Sequence, residues 1–239
     1  MSALSAATAP EQTPPPLTPS RRLRGKIALA IGPFASASAR LVTDPRLHEL
    51  WPRYLIAQHG IIRATVPLTE LAARRARELT KDPVAGELAR YLESHADEER
   101  HHDDSLLNDL ELLGVERTTL VAQMPSPAVA SLVGSQYYWV LHHHPLAVLG
   151  YIAVVEGYPP DPGLIAELSA RSGYARDTFN TIAEHAALDP GHRDRLDRAI
   201  DSLPLTEAHE RILGVSAIVT AGLAARVLEE LVTTPVGAA

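Results

Sequence analysis

Residues 82–114 read DPVAGELARYLESHADEERHHDDSLLNDLELLG, and the fold turns on this stretch. Asp82-Pro83 is a helix start, a capping carboxylate followed by proline at the first helical position. Gly114 is a stop, because glycine adopts the left-handed C-terminal conformation without steric cost. The span between them predicts one helix running to Leu113, about eight turns long. Its apolar face runs through Val84 and Leu88 to Tyr91 or Leu92, and resumes at Leu106, Leu110 and Leu113. Between these blocks the same face carries His95, Glu99 and His102, at i, i+4 and i+7. Glu98 lies at its edge. For two turns, core residues give way to groups that bind metal ions.

Outward from this stretch the pattern stays helical. Ser126-Pro127 opens another helix, and Pro145 opens or kinks the next, which ends near Glu156-Gly157. Residues 159–163 (PPDPG) form a loop, and helices follow at about 164–171, 174–188, 191–202 and 206–234. Strand alternation and fixed-period repeats are absent from the sequence. Long helices joined by short loops imply an all-α bundle. Residues 1–22, rich in Ala and Pro with Pro14-Pro15-Pro16, predict a disordered tail ahead of a single helical domain over 23–239. Arg21-Arg22-Leu23-Arg24 before Ile27-Ala28-Leu29-Ala30-Ile31 loosely imitates a signal peptide. That apolar run is short and broken by Gly32-Pro33, which favours a basic lead-in to the first helix.

Composition narrows the chemistry. The chain has no cysteine, which excludes disulfides, thiolate zinc sites, iron–sulfur clusters and cysteine nucleophiles. Any metal must be held by His, Asp and Glu. The net charge of −7 comes without a basic stripe, so nucleic acid is not an expected partner. No run of about 18 consecutive apolar residues is present, and no membrane partner is expected. A cytoplasmic location is expected, and a homodimer is compatible with a bundle of this size.

A second segment repeats the pattern of the first. Thr178 and Ile182 lead to His185, Asp189 and His192, after which Leu196 and Ile200 resume the apolar stripe. Asp189-Pro190 interrupts the helix, so Asp189 is either a face residue or the cap of a new helix. Glu156 occupies the stripe of Leu149 and Ile152, close to a helix C-terminus, where the macrodipole disfavours an anion. His101, Asp103 and Asp104 read as solvated. Burying several carboxylates and imidazoles without a cation costs several kcal/mol, and divalent ions compensate that cost. Two Glu/Asp-x-x-His units plus a separate Glu describe a dinuclear site. Mixed oxygen and imidazole ligands suit iron or manganese.

The segments 92–103 with 109–114, 145–150 with 156–157, 185–192, and 55–63 together resemble the haem-oxygenase-like diiron oxidases and oxygenases. The resemblance covers roughly residues 25–235. It implies a haem-oxygenase-like, TenA-like helical bundle of about seven helices. It also implies two Fe(II) ions, with manganese as an alternative, that activate O2 through a peroxo-diferric species. By position, His102, Glu156, Asp189 and His192 are the implied ligands, with Glu99, His95 and His185 completing the set. Glu99, His102, Glu156, Asp189 and His192 are the candidate catalytic residues. Some members carry a carboxylate at the position of His95, which leaves open whether His95 binds metal or how many carboxylates bridge. Thiaminase-like relatives need a cysteine nucleophile, and haem oxygenase itself needs no carboxylate cluster.

The implied substrate is a small molecule of specialised metabolism derived from an amino acid or a fatty acid. Arg63, one turn beyond His59, is a candidate partner for a substrate carboxylate, or else a surface arginine. Tyr137, Tyr138 and Trp139 line a pocket or belong to the core, and His142-His143-His144 reads as an exposed junction. Two alternatives to an oxidase stand. One is a metal-free binding protein or cofactor-independent relative on the same fold; the other is a structural helical protein.

Overall fold

The computed structural model describes residues 16–235 apart from residue 162. The described residues form twelve α-helices: α1 (Pro19–Ala30), α2 (Gly32–Thr43), α3 (Leu47–Ile62), α4 (Thr65–Glu78), α5 (Ala85–Glu98), α6 (His102–Leu112), α7 (Arg117–Ala122), α8 (Pro127–His142), α9 (Ala147–Val155), α10 (Leu164–Ser172), α11 (Asn180–Ser202) and α12 (Glu207–Thr233). A 3-10 turn, Arg176–Phe179, precedes α11. These segments outnumber the seven predicted because short breaks divide what pattern alone reads as continuous.

The bundle is organised around α9. Every residue from Ala147 to Val154 is buried, as an all-apolar helix requires. The longest helix, α12, crosses α9 closely at Gly150, where a Cβ would collide with the Leu213 carbonyl. α12 is long and apolar enough to cross a bilayer, yet 61% of its most apolar window is buried in the bundle. α1, α2 and α8 pack on its other sides. A second apolar cluster, with Trp51 against Phe179, joins α3, α6 and the 3-10 turn.

Three predicted boundaries change. The helix expected to start at Asp82-Pro83 starts at Ala85 with Val84 as its N-cap, and Asp82 Oδ1 instead accepts the Val84 N–H at 2.9 Å in the turn before it. The helix predicted over 83–113 is two helices, broken at Glu99–His101. His101 takes φ 72°, and among the described residues it is the one non-glycine with positive φ. Periodicity does not register the break because the apolar phase is the same on both sides. Asp103 and Asp104 fall in the first turn of α6, where the helix dipole favours anions. In contrast, the predicted break at Asp189-Pro190 does not occur, and the backbone is helical from Asn180 to Ser202. Proline removes one helical hydrogen bond; here packing of α11 on α1, α6 and α9 keeps the two halves in register. Asp189 is therefore an interior helical residue rather than a cap.

Of the predicted tail, residues 1–15 lie outside the described residues, and α1 opens at Pro19 with Thr18 as its N-cap. The signal-like stretch is a packed element. Leu23 and Ile27 are buried, Ser20 donates to Asp201 at 2.8 Å, and Arg24 pairs with Asp197 at 2.8 Å.

Candidate metal centre

α5, α9 and α11 deliver the candidate ligands, and the break before α6 adds two more. His95 is on the last turn of α5, and Glu99 is its C-cap. Glu156 is the C-cap of α9, facing outward-directed carbonyls that repel its charge. His185, Asp189 and His192 lie on α11, and His102 begins α6.

The seven form one unbroken run of neighbours. His95 Nε2 approaches Glu156 Oε1 at 3.2 Å, and Glu156 Oε2 lies 3.5 Å from His192 Nδ1. His192 Nδ1 lies 3.6 Å from Glu99 Oε1. The other oxygen, Glu99 Oε2, meets His102 Nδ1 at 3.1 Å. The His102 and His185 rings meet edge to face at 5.6 Å, and His185 Nδ1 contacts Asp189 Oδ1 at 3.2 Å. His95, Glu99, Glu156, Asp189 and His192 are buried; His102 and His185 are partly exposed.

Buried polar atoms are normally hydrogen-bonded. Here four are not: His95 Nε2, Glu99 Oε1, Glu156 Oε2 and His192 Nδ1. All four belong to this run and lie side by side. The His95–Glu156 approach is close but lacks hydrogen-bond alignment. Side-chain atoms of His95, Glu99 and Glu156 fall within 4.8 Å of one another. Imidazole and carboxylate atoms gathered this closely without aligned hydrogen bonds match the needs of a cation, and this mixed ligand set suits iron or manganese. Glu99 faces this group with one oxygen and the His102–His185–Asp189 group with the other, as a bridging carboxylate would. Among the described residues, His95, Glu99 and Glu156 thus fit one metal ion, while His102, His185 and Asp189 stand next to that group without being drawn together as closely.

Protonation is consistent with a site designed around positive charge. Burial pushes the Glu156 carboxyl up, but His95 and His192 outweigh it and hold it at about 2. Burial lowers the His95 imidazolium, yet the Glu156 and Glu99 charges raise it on balance. The Glu99 hydrogen bond raises His102. For His185, burial acts downward, and the Asp189 hydrogen bond together with the Asp189 and Glu99 charges raises it on balance.

Two openings reach the centre. One is a chamber of about 200 Å3, bounded by Glu99, Glu156, His185 and Asp189 on one side and by apolar residues such as Leu55, Ile61 and Val154 on the other. The second is a polar recess containing Tyr91, His95, His192, Glu98 and Arg195. Glu98, the edge residue of the sequence pattern, points there and pairs with Arg195 at 2.6 Å. Tyr91 stacks on His95 with ring centroids 5.8 Å apart.

Other sequence candidates lie elsewhere. Arg63, the C-cap of α3, lines a groove with His59 and Tyr137 and is not brought to the chamber. Tyr138 is exposed, while Tyr137 and Trp139 pack partly against the core. His101 is solvated, as predicted. Among the three successive histidines, His142 and His143 are exposed, but His144 is not. Its Nε2 lies 3.3 Å from Asp82 Oδ2, and His209 Nε2 lies 3.2 Å from the same oxygen. This second His/Asp cluster is a hydrogen-bonded hub and offers no metal site. Both Nδ1 atoms accept backbone N–H groups, from Leu146 and Thr206, so both Nε2 atoms carry protons and donate to Asp82. No sequence signal announces the hub, since its members are 62 and 127 residues apart.

No protein-family model matches the chain, and no curated protein matches it. Solved structures do. One is a domain of unknown function with a heme oxygenase-like fold from Shewanella denitrificans, with TM-score 0.71 and 17% identity, over 88% of this chain and 90% of that one. Another is a TenA homolog from Pseudomonas syringae pv. tomato, with TM-score 0.69 and 16% identity, over 94% of this chain and 99% of that one. At these identities the likeness concerns the fold alone: the chain has the haem-oxygenase-like, all-α fold.

Proposed function

We propose that this chain is a non-haem diiron enzyme that uses O2 to oxidise a small organic substrate. The observation carrying this reading is the set of four unpartnered, buried ligand atoms around His95, Glu99, Glu156 and His192. Their presence in an apolar bundle costs stability unless a cation pairs with them. His95, Glu99, Glu156 and His192 would hold one ion. Glu99, His102, His185 and Asp189 would hold the other. Bound there, the iron pair supplies the electrons that reduce O2.

The remaining tasks belong to the protein. Glu156 stays ionised far below neutrality, so its charge is available to a cation at any physiological pH. The raised histidines must release their protons for the ring nitrogens to bind metal, which makes affinity rise with pH. The apolar wall of the chamber excludes water from the reacting face. His95 is held flat against Tyr91, which orients its ring.

A metal-free binding protein on the same fold remains the alternative reading. The pairs Glu99–His102 and His185–Asp189 are what it requires, but it leaves the four unpartnered atoms without a purpose. Anaerobic Fe(II) titration of metal-free protein separates the two. Saturation near two ions per chain, followed by a visible absorption change on adding O2, is the expected result. An intact helical fold that takes up no iron would overturn the proposal.

A further inference from the structure

We infer that the substrate enters the chamber as an uncharged, mainly aliphatic molecule, oriented by the hydroxyl of Thr181. This inference rests on the diiron reading for the identity of the reacting face, but its evidence is the rest of the chamber wall.

The first observation is charge. Among the described residues, no Lys or Arg lines the chamber. Its ionisable groups are His185, Glu99, Glu156 and Asp189, all assigned to metal, besides Tyr54, Tyr151 and Tyr158. Burial pushes Tyr54 up to about 12 and raises Tyr151 as well, so both stay neutral. A carboxylate or a zwitterionic amino acid entering this space loses water and gains no Lys or Arg partner from the wall. Arg63, the residue that a carboxylate substrate would need, lines a different groove.

The second observation is size. About 200 Å3 lies below the roughly 300–1,000 Å3 typical of drug-sized ligand pockets, so the guest is small. Exposed Val155, the last residue of α9, and Tyr158 beyond it line the chamber and give a way in.

The third observation is Thr181. It stands one and two turns ahead of His185 and Asp189 on the same face of α11, at i, i+4 and i+8. Its side chain is 97% buried by residue, lines the chamber, and its Oγ1 has no hydrogen-bond partner. Its backbone is held still, because its N–H donates to Asp109 Oδ2 at 2.8 Å. Gln58, Thr65 and the three tyrosines are the other uncharged polar side chains of the wall, but among its described, buried polar atoms outside the metal group the Thr181 hydroxyl is the one without a partner, so it is free to give one hydrogen bond to a guest.

The test is calorimetric titration of the full-length, metal-free protein with n-heptanol, heptanoate and norleucine, repeated on iron-loaded protein under anaerobic conditions. Heptanol is expected to bind both forms at least about tenfold more tightly than either charged probe. Ile182→Trp, which fills the chamber, should abolish that binding with the helical circular dichroism retained. Thr181→Val keeps the shape and should weaken heptanol about five- to tenfold, the worth of one buried hydrogen bond. Equal or tighter binding of heptanoate or norleucine to the iron-loaded protein overturns the inference. So does failure of heptanol to bind, or heptanol affinity unchanged in Thr181→Val. Because heptanol is scored on metal-free protein, failure of the iron reading shows separately, as absent Fe(II) uptake.

Discussion

Glu156 sits where a carboxylate has least local support, at the C-cap of a helix buried from Ala147 to Val154. Its compensation comes from His95 and His192. Glu156→Gln should therefore lower Fe(II) stoichiometry from two towards one, read by anaerobic titration. In the metal-free protein the same change breaks a buried ion pair and should cost about 3–5 kcal/mol of unfolding free energy in urea. Retention of two ions in that variant would mean that Glu156 is no ligand. Glu99 carries more of the design, since its two oxygens face different groups. Glu99→Gln is expected to lose both ions together.

At the scale of elements, the break between α5 and α6 lets Glu99 and His102 face one centre from two helices. Its cost is a histidine in the left-handed region, disfavoured by roughly 1–2 kcal/mol for a residue with a Cβ. His101 is exposed with its ring beside Asp104, so His101→Gly should stabilise the fold by about 1 kcal/mol and leave iron binding unchanged. A urea midpoint that moved down would show that the histidine has a role beyond the turn. The α9–α12 crossing is the opposite case. A methyl at Gly150 meets the Leu213 carbonyl and the Ala217 amide, both backbone, so Gly150→Ala should destabilise by about 1–3 kcal/mol. Thermal unfolding of that variant gives the comparison.

The whole molecule responds to pH through its centre. His95, His102 and His185 have raised values in the fold. Their contribution to metal-free stability is fully present below their ordinary value of 6.5 and is lost as pH rises through the higher folded values. Glu156 is depressed, so its contribution is present above 4.5 and is lost as pH falls towards about 2. Metal-free protein should thus be most stable between pH 4.5 and 6.5 as far as these groups decide it. Iron should reverse the alkaline side of this profile, because binding needs unprotonated imidazoles and stabilises only the folded state. Urea midpoints measured across pH with and without Fe(II) test both halves. A metal-free profile that climbs from pH 6 to 8 would contradict the assigned shifts.

Much of the centre was legible in one dimension. Side chains at i, i+4 and i+7 share a helix face whatever the fold, so His95, Glu99, His185, Asp189 and His192 stand out as ligand types set into apolar stripes. Glu156 stands out by the same rule. These local regularities, with the absence of cysteine, determined an all-α bundle and the chemistry of its candidate ligands. Thr181 obeys the same spacing from His185, but nothing local marks a threonine as unpartnered. Only the tertiary structure decided that the 82–114 stretch turns at His101 while α11 continues through position 190. It also decided that Glu99 faces two groups, that Asp82 gathers His144 and His209, and that Arg63 lines a groove other than the chamber. The reason is physical: periodicity reports which residues share a face, whereas a break, a cavity and an unpaired atom are set by what the other helices bring against that face.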